Sequence, residues 1–316
     1  MSCKVVVVNA AKMDFDGKLD FSVLSDDVQV FADSSEEELL QRIQGADVVV
    51  TKELPVPAKL LAQFPASVRL LVEAGTGYNN IDLPAAKAKG ITVCNIPAYS
   101  SQRVAHTAIM LMLNLASSMQ VQMAMLARGD HQNFTQHLLV PHIELNGKTL
   151  GVLGAGHIGR QVIRIAQAME MNVLAATRTP RPDEAGIRYV SREEMLRESD
   201  FITLHCPLNE KTHHVIDASA LSLMKPTAFL INTSRGALID EQALIKALQE
   251  HQIAGAGLDV QEQEPPAADN PLYTMSNVIL TPHMGWKGME TRQRLVSIIA
   301  EDVHQFMAGT PVNVVG

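Results

Sequence analysis

The sequence predicts an α/β protein with two doubly wound parallel sheets in series. Three observations carry this. Short apolar runs alternate with amphipathic stretches from one end of the chain to the other. A Gly154-Ala-Gly-His-Ile-Gly159 string follows one of those runs and opens a helical period. That string begins near the middle of the 316 residues, so a separate unit folds before it, and the length allows two buried cores.

In the first unit, strands are expected at 4–9, 28–32, 47–51, 68–73 and 91–95, several as continuous apolar runs suited to a buried parallel sheet. Ser35-Glu-Glu-Glu38 reads as a capping box opening a helix that Gly45 ends, and 83–89 reads as a helix stopped by Gly90. A long helix is expected over 101–127, with apolar positions at Val104, Ala108, Met112, Leu115 and Met119. A polar loop follows over 128–142. The alternation resumes with a strand at 149–153 and a helix at 160–169. Further strands are expected at 172–176, 201–205, 228–232, 255–258 and 277–280, with helices at 241–250 and 290–307.

Strand, glycine turn and helix in that order make the phosphate site of a dinucleotide fold. Gly154 permits the tight turn, Gly156 lets the backbone approach a pyrophosphate, and Gly159 lets the helix pack close. The helix N-terminus then offers unpaired N–H donors to the phosphates.

Composition narrows the function classes. An apolar fraction of 47 % and a charged fraction of 19 % describe an ordinary soluble globular protein. A net charge of −8 argues against a nucleic-acid partner but leaves room for an anionic small molecule in a locally basic pocket. Cys3, Cys94 and Cys206 are widely spaced and odd in number, which fits a reducing cytoplasm. The start of the chain lacks a signal-peptide core, and the most apolar helix, around 108–116, is interrupted by Asn114 and too short to span a bilayer, so no membrane is expected. His131, His137 and His142 fall in the loop. His213-His214 lacks the i, i+4 spacing of a helical zinc pair, so no metal is expected.

Three later segments end on strands: Ile231-Asn-Thr-Ser-Arg-Gly236, Gly257-Leu-Asp-Val-Gln-Glu-Gln-Glu-Pro-Pro266 and Leu280-Thr-Pro-His-Met-Gly-Trp286. Ligands of open α/β sheets collect beyond the carboxyl ends of strands. These segments supply an arginine whose fork matches a carboxylate, candidate acids, and a histidine suited to proton transfer.

With the glycine fingerprint, these segments resemble the D-isomer-specific 2-hydroxyacid dehydrogenase family over essentially the whole chain. The resemblance implies a flavodoxin-like substrate domain at 1–98, completed by 290–316, and a Rossmann NAD(P)-binding domain at 99–289. It implies that Arg235 holds the substrate carboxylate and carbonyl, that Glu264 orients His283, and that His283 gives the proton. Asp259 would approach the nicotinamide carboxamide. Thr76 and Gly77, in Ala74-Gly-Thr-Gly-Tyr-Asn-Asn80, would grip the substrate through backbone N–H groups. Besides Gly154, Gly156 and Gly159, cofactor contacts would come from Val104, His157, Ile158, Cys206, Pro207 and Thr233.

NAD-selective proteins of this fold place an acid about twenty residues after the fingerprint to bind the ribose 2′-OH. Here the stretch is Ala176-Thr-Arg-Thr-Pro-Arg181, with no acid until Asp183. Thr177, Arg178 and Thr179 would instead clamp a 2′-phosphate, which favours NADP(H), with NAD(H) the alternative.

Trp286 and the Val93-Cys-Asn-Ile-Pro-Ala-Tyr-Ser-Ser-Gln-Arg-Val-Ala-His-Thr107 segment look most like the glycerate dehydrogenase/hydroxypyruvate reductase branch, with hydroxypyruvate or glyoxylate as the expected substrate. His106 stands where the family commonly has an acid or amide. A D-lactate-type enzyme and a nucleotide-sensing co-repressor-like protein are the alternatives, since fold does not fix function. The family pairs subunits through the region of 101–142. Met110, Met112, Met119, Met123 and Met125 would supply adaptable apolar contacts to a homodimer.

Overall fold

The computed structural model describes residues 3–184 and 186–316. They divide into two compact units, Met1–Ser100 with Trp286–Gly316, and Ser101–Gly285.

The first unit contains β1 (Lys4–Val7), β2 (Asp27–Val30), α1 (Glu36–Arg42), β3 (Val48–Thr51), α2 (Ala58–Leu61), β4 (Leu70–Glu73), α3 (Leu83–Ala88) and β5 (Thr92–Asn95). Its strands are all parallel in the order β2-β1-β3-β4-β5, the flavodoxin-like arrangement. β1 shows why a valine run makes a central strand. Val5 and Val7 feed one core, Val6 and Val8 the other, and all four are fully buried. The capping box is present: the Glu38 N–H donates to Ser35 Oγ at 3.3 Å, and the Ser35 N–H donates to Glu38 Oε2 at 2.9 Å.

The second unit contains α4 (Ser101–Ala116), α5 (Met119–Ala127), α6 (Gln132–Thr135), β6 (Thr149–Leu153), α7 (His157–Ala168), β7 (Asn172–Ala176), β8 (Ile187–Tyr189), α8 (Arg192–Glu198), β9 (Phe201–Leu204), α9 (Ala218–Leu223), β10 (Phe229–Asn232), α10 (Glu241–Gln249), β11 (Gly255–Leu258) and β12 (Val278–Leu280). The last helix, α11 (Met289–Met307), belongs to the first unit. The seven strands run parallel in the order β12-β11-β10-β9-β6-β7-β8. This is the dinucleotide order with one added strand, and its reversal point lies between β6 and β9. The two faces of the sheet bury separate apolar clusters, one around Leu204, Leu230 and Leu244 and one around Leu150, Val152 and Phe201.

Three expectations need correction. The helix expected over 101–127 is two helices, bent by 64° at the break. Ser118 there adopts φ +47° and its hydroxyl donates to Pro141 O at 2.7 Å. Paired serines give the backbone a competing partner, so an apolar period that continues through them does not keep one axis. The loop expected over 128–142 contains the single turn α6. The fingerprint helix starts at His157 rather than 160, because glycine and histidine in the first turn carry no apolar period. β8 is only three residues long, too short for a period to show.

No single helix among the described residues is long and apolar enough to cross a membrane.

Candidate active site

The fingerprint turn joins β6 to α7 at the reversal point of the second unit's sheet. Gly154 has φ +101°, and a β-carbon there would stand 2.7 Å from Cys206 N and 2.8 Å from His205 C. A β-carbon on Gly159 would collide with the Gly154 carbonyl, whereas one on Gly156 would meet nothing within 4 Å. Gly154 and Gly159 are therefore fixed by packing, and Gly156 faces open space where a ligand can approach. Among the described residues, the N–H groups of His157, Ile158 and Gly159 donate to no backbone acceptor; the first bond into the turn is Arg160 N to Gly156 O at 2.9 Å. Three unpaired donors at a helix N-terminus suit a pyrophosphate.

Beneath the turn, the end of β9 carries His205 and Cys206. Burial pushes the His205 imidazole down to about 3 and the Cys206 thiol up to about 11, so both are neutral at physiological pH. His205 Nε2 lies 2.9 Å from Thr203 Oγ1, and its buried Nδ1 has no partner among the described residues. At the end of the adjacent strand, β10, the buried Thr233 hydroxyl also has no partner. Buried polar atoms without partners are uncommon, and these two lie at neighbouring strand ends, where a ligand can complete the hydrogen bonding. Sequence reasoning did not single out His205. Its signal was its position, one residue past a buried strand on the reversal side of the sheet.

The β7 end carries the stretch expected at the cofactor's ribose. Thr177 Oγ1 donates to Thr179 O at 2.7 Å and sets the turn. Arg178 is exposed and makes no ion pair among the described residues. The nearest following acids are engaged elsewhere: Asp183 Oδ1 accepts the Tyr189 N–H at 2.8 Å, and Glu184 pairs with Arg160 at 2.7 Å.

β10, β11 and β12 carry the candidate catalytic set. His283 Nδ1 lies 2.8 Å from Glu264 Oε2, and Glu264 Oε1 accepts the Gln261 N–H at 3.0 Å. Glu264 is thereby aimed from its own loop, and the bond to Nδ1 leaves Nε2 as the outward nitrogen of the ring. His283 has φ +48°, and its N–H is shared between Asp259 O at 2.8 Å and Thr281 O at 3.0 Å. A bulky residue in the left-handed region needs such fixing.

Asp259 does much of that fixing. It is 1 % exposed; Oδ1 accepts from Thr281 Oγ1 at 2.6 Å and Met284 N at 2.9 Å, and Oδ2 accepts from Gly285 N at 2.8 Å. Its carboxylate is thus occupied in holding the 281–285 loop that presents His283. A β-carbon on Gly285 would stand 2.8 Å from Asp259 Oδ2 and 3.6 Å from Val104 Cγ2, which places Val104 against the same loop.

Arg235 is half-buried. Its Nη1 donates to Ser234 O at 2.8 Å, and among the described residues it has no carboxylate partner. Asn232 shapes the turn that presents it, donating to Arg235 O at 2.8 Å and accepting from Ser234 N at 3.0 Å. The next residue, Gly236, lies so close to the Gln261–Glu262 backbone that a β-carbon would overlap it. That contact locks the Arg235 segment to the loop bearing Glu264, and only the bare Arg-Gly step in the sequence hinted at it.

In the first unit, the turn after β4 has its own supports. Asn80 Nδ2 donates to the buried Glu73 at 2.9 Å, and Asn95 Nδ2 donates to Thr76 O at 2.7 Å. The N–H groups of Thr76 and Gly77 donate to no backbone acceptor among the described residues, a short row of donors suited to an anion. A β-carbon on Gly75 would stand 3.1 Å from Lys52 Nζ. Lys52 is 2 % exposed, pairs with Glu53 at 2.8 Å and lies 4.1 Å from the Trp286 ring centroid. Burial pulls its pKa down, but Tyr99, Glu53 and Glu73 outweigh that and hold it up. A cation stacked on an indole face gives Trp286 a packing role that sequence alone did not reveal.

One prediction arises here. Glu264→Gln removes the charge beside His283 while keeping the shape. Glu264 acts through His283 and not on the substrate, so the mutant should lose kcat more than it gains in KM for the 2-oxo acid. Steady-state kinetics check this, and an unchanged kcat, or a loss confined to KM, sinks the pairing.

The family model described as "D-isomer specific 2-hydroxyacid dehydrogenase, NAD binding domain" matches residues 109–285. A hydroxypyruvate reductase of Blautia hydrogenotrophica is 39 % identical over 283 residues, covering 88 % of each chain. A glycerate dehydrogenase of Methylorubrum extorquens is also 39 % identical over 283 residues, again with 88 % of each chain covered. Among solved structures, the acyclic imino acid reductase Bsp5 in complex with NADPH and D-Arg superposes with a TM-score of 0.86 at 31 % identity, covering 99 % of this chain and 100 % of that one. The fold with its nicotinamide-nucleotide site, the strand-end residues and these similarities together place the chain in the D-isomer-specific 2-hydroxyacid dehydrogenase family.

Proposed function

We propose that this protein reduces a small 2-oxo acid, hydroxypyruvate or glyoxylate, to the D-2-hydroxy acid with NADPH. The observation that carries this is the His283–Glu264 pair at 2.8 Å, presented at the strand ends that also present Arg235, which makes no ion pair among the described residues. The names of the two relatives above support the substrate class. A bound reduced nicotinamide would supply the hydride to the carbonyl carbon. Gly154, Gly156, His157, Ile158 and Gly159 would hold its pyrophosphate, and Val104, Cys206, Pro207, Thr233 and Asp259 would line the rest of its site.

The protein's own residues do the remainder. His283 Nε2 gives its proton to the carbonyl oxygen as negative charge develops there, and Glu264 stabilises the ring while it carries that proton. Arg235 takes the substrate carboxylate and stabilises the oxyanion. In the first unit, Thr76 and Gly77, whose N–H groups donate to no backbone acceptor among the described residues, are the proposed backbone donors for a carboxylate. A panel of 2-oxo acids assayed with NADPH and NADH tests the reading. Rapid, saturable turnover of hydroxypyruvate or glyoxylate is expected, and no turnover of any member would overturn it.

The choice of NADPH rests on Arg178, exposed and without an ion pair among the described residues, at a β7 end whose nearest following acids are bound elsewhere. A charge-assisted hydrogen bond to a 2′-phosphate is worth roughly 1.5–3 kcal/mol, or about ten- to a hundredfold in preference. Arg178→Ala should remove most of that preference, and Thr177→Asp should turn it toward NADH. Equal kcat/KM values for the two cofactors in the wild type would refute it.

A homodimer is proposed through α5 and the segment after it. Met119, Met123, Leu126 and Phe134 are 41–78 % exposed there, an apolar concentration unusual on a monomer surface. Sedimentation at micromolar concentration should show a dimer, and Met123→Lys with Phe134→Glu should shift it to monomer. A reducing, cytoplasmic setting fits the three free cysteines.

A further inference from the structure

Behind the strand ends of the second unit, His213, His214 and Glu262 come together from segments far apart in sequence. Their candidate ligand atoms all lie within 4.8 Å of one another. His214 Nε2 is 2.8 Å from Glu262 Oε1, and the His213 ring stacks on His214 with centroids 3.9 Å apart. Helical spacing is no guide to this group, because the carboxylate comes from 48 residues beyond His214.

We propose that these three residues form a site for a divalent transition metal of the zinc class, and that occupancy slows turnover. Two imidazoles and a carboxylate are the donor set of borderline metals rather than of calcium or magnesium. Tetrahedral zinc, with bonds of about 2.0–2.2 Å, places its ligand atoms roughly 3.3–3.5 Å apart. The His214–Glu262 pair needs to open only slightly to reach that spacing. His213, exposed and with its ring hydrogen-bonded to nothing among the described residues, needs to swing inward.

The backbone under the site is fixed. The His213 N–H donates to Asn209 O at 2.8 Å and the His214 N–H to Ala237 O at 2.9 Å, with His214 held at φ +50°. A second carboxylate adds negative potential: Glu241 Oε2 accepts the Glu262 N–H at 3.4 Å. Three protein ligands leave one position for water.

The coupling follows from where these anchors lead. Ala237 is two residues beyond Arg235, and Glu262 is two residues before Glu264. The Gly236 contact ties the two loops together at that point. A metal that draws Glu262 toward the histidines therefore pulls on the segments that aim both Arg235 and Glu264. A displacement of a fraction of an ångström is enough to misplace a catalytic hydrogen bond. The coupling rests on the dehydrogenase reading above, but the binding does not.

The test uses the full-length protein freed of metal and titrated with Zn²⁺ alone in a non-chelating buffer. Calorimetry should show one saturable site per chain in the wild type, lost in His213→Ala and in Glu262→Gln. Saturating Zn²⁺ should lower the kcat/KM of wild type about tenfold, within the usual range of coupling between sites. It should leave His213→Ala unchanged, and that variant should keep wild-type basal activity because His213 is outside the catalytic set. Absence of saturable binding, or binding and inhibition that persist undiminished in His213→Ala, overturns the site. Binding at these residues without any effect on turnover overturns the coupling. Failure of the wild type to turn over any 2-oxo acid, with calorimetry intact, would instead count against the dehydrogenase reading alone.

Discussion

His283→Ala should lower turnover by about two to four decades while leaving affinity for the reduced cofactor within a few-fold of wild type. The loss corresponds to roughly 3–5 kcal/mol of transition-state stabilisation. Its source is specific. With Nδ1 committed to Glu264 at 2.8 Å, the proton for the carbonyl oxygen must come from Nε2, and alanine provides neither the proton nor the shape. The fold should tolerate the change, because the loop is held by Asp259 through Thr281, Met284 and Gly285 rather than by the imidazole. The left-handed backbone at this position is in fact strained for His and Ala alike. Fluorescence titration of NADPH separates binding from chemistry, and a single-turnover measurement separates chemistry from release. A variant within tenfold of wild type across the pH range would show that the proton has another source.

Much of the fold was legible because its signals are local and redundant. The valine run of β1, the capping box of α1 and the glycine fingerprint each state one element without help from the rest. The candidate catalytic residues were legible for a different reason: each follows a strand in a parallel sheet, and such strand ends collect at one edge. What was hidden depends on contacts between distant segments. The break at Ser118 is decided partly by its bond to Pro141, which no window around the helix contains. The task of Asp259 as the post of the His283 loop, the forced glycine at 236, and the burial of Lys52 against Trp286 all involve partners tens to hundreds of residues away. The histidine pair at 213–214 is the clearest case. Its sequence context gave no ligand spacing, and its carboxylate partner appears only when β9, β10 and β11 lie side by side.

Arg235→Ala should be nearly as damaging as loss of the histidine, but in a way that can be told apart from it. Arg235 has two tasks in the proposed reaction, and they weaken different constants. Its bond to the substrate carboxylate exists before and during reaction, so losing it raises KM; a charge-assisted bond of this kind is worth about 1.5–3 kcal/mol. Its stabilisation of the oxyanion exists mainly in the transition state, so losing it lowers kcat; removal of one such donor costs about 2.7–4 kcal/mol. The two losses share one side chain and will not add fully, so a fall in kcat/KM of about three decades or more is expected, divided between the two constants. His283→Ala, by contrast, should act almost entirely on kcat. Arg235→Lys keeps the charge but not the planar fork, and should recover only part of the loss. The Arg235 side chain forms no ion pair among the described residues, and the turn beneath it is built by Asn232 and Gly236, so the substitution should leave stability and cofactor binding close to wild type. Added guanidinium should restore some activity to the alanine variant and none to His283→Ala. An Arg235→Ala enzyme with unchanged KM for the 2-oxo acid would show that the carboxylate is held elsewhere, and one with unchanged kcat would remove Arg235 from the chemical step.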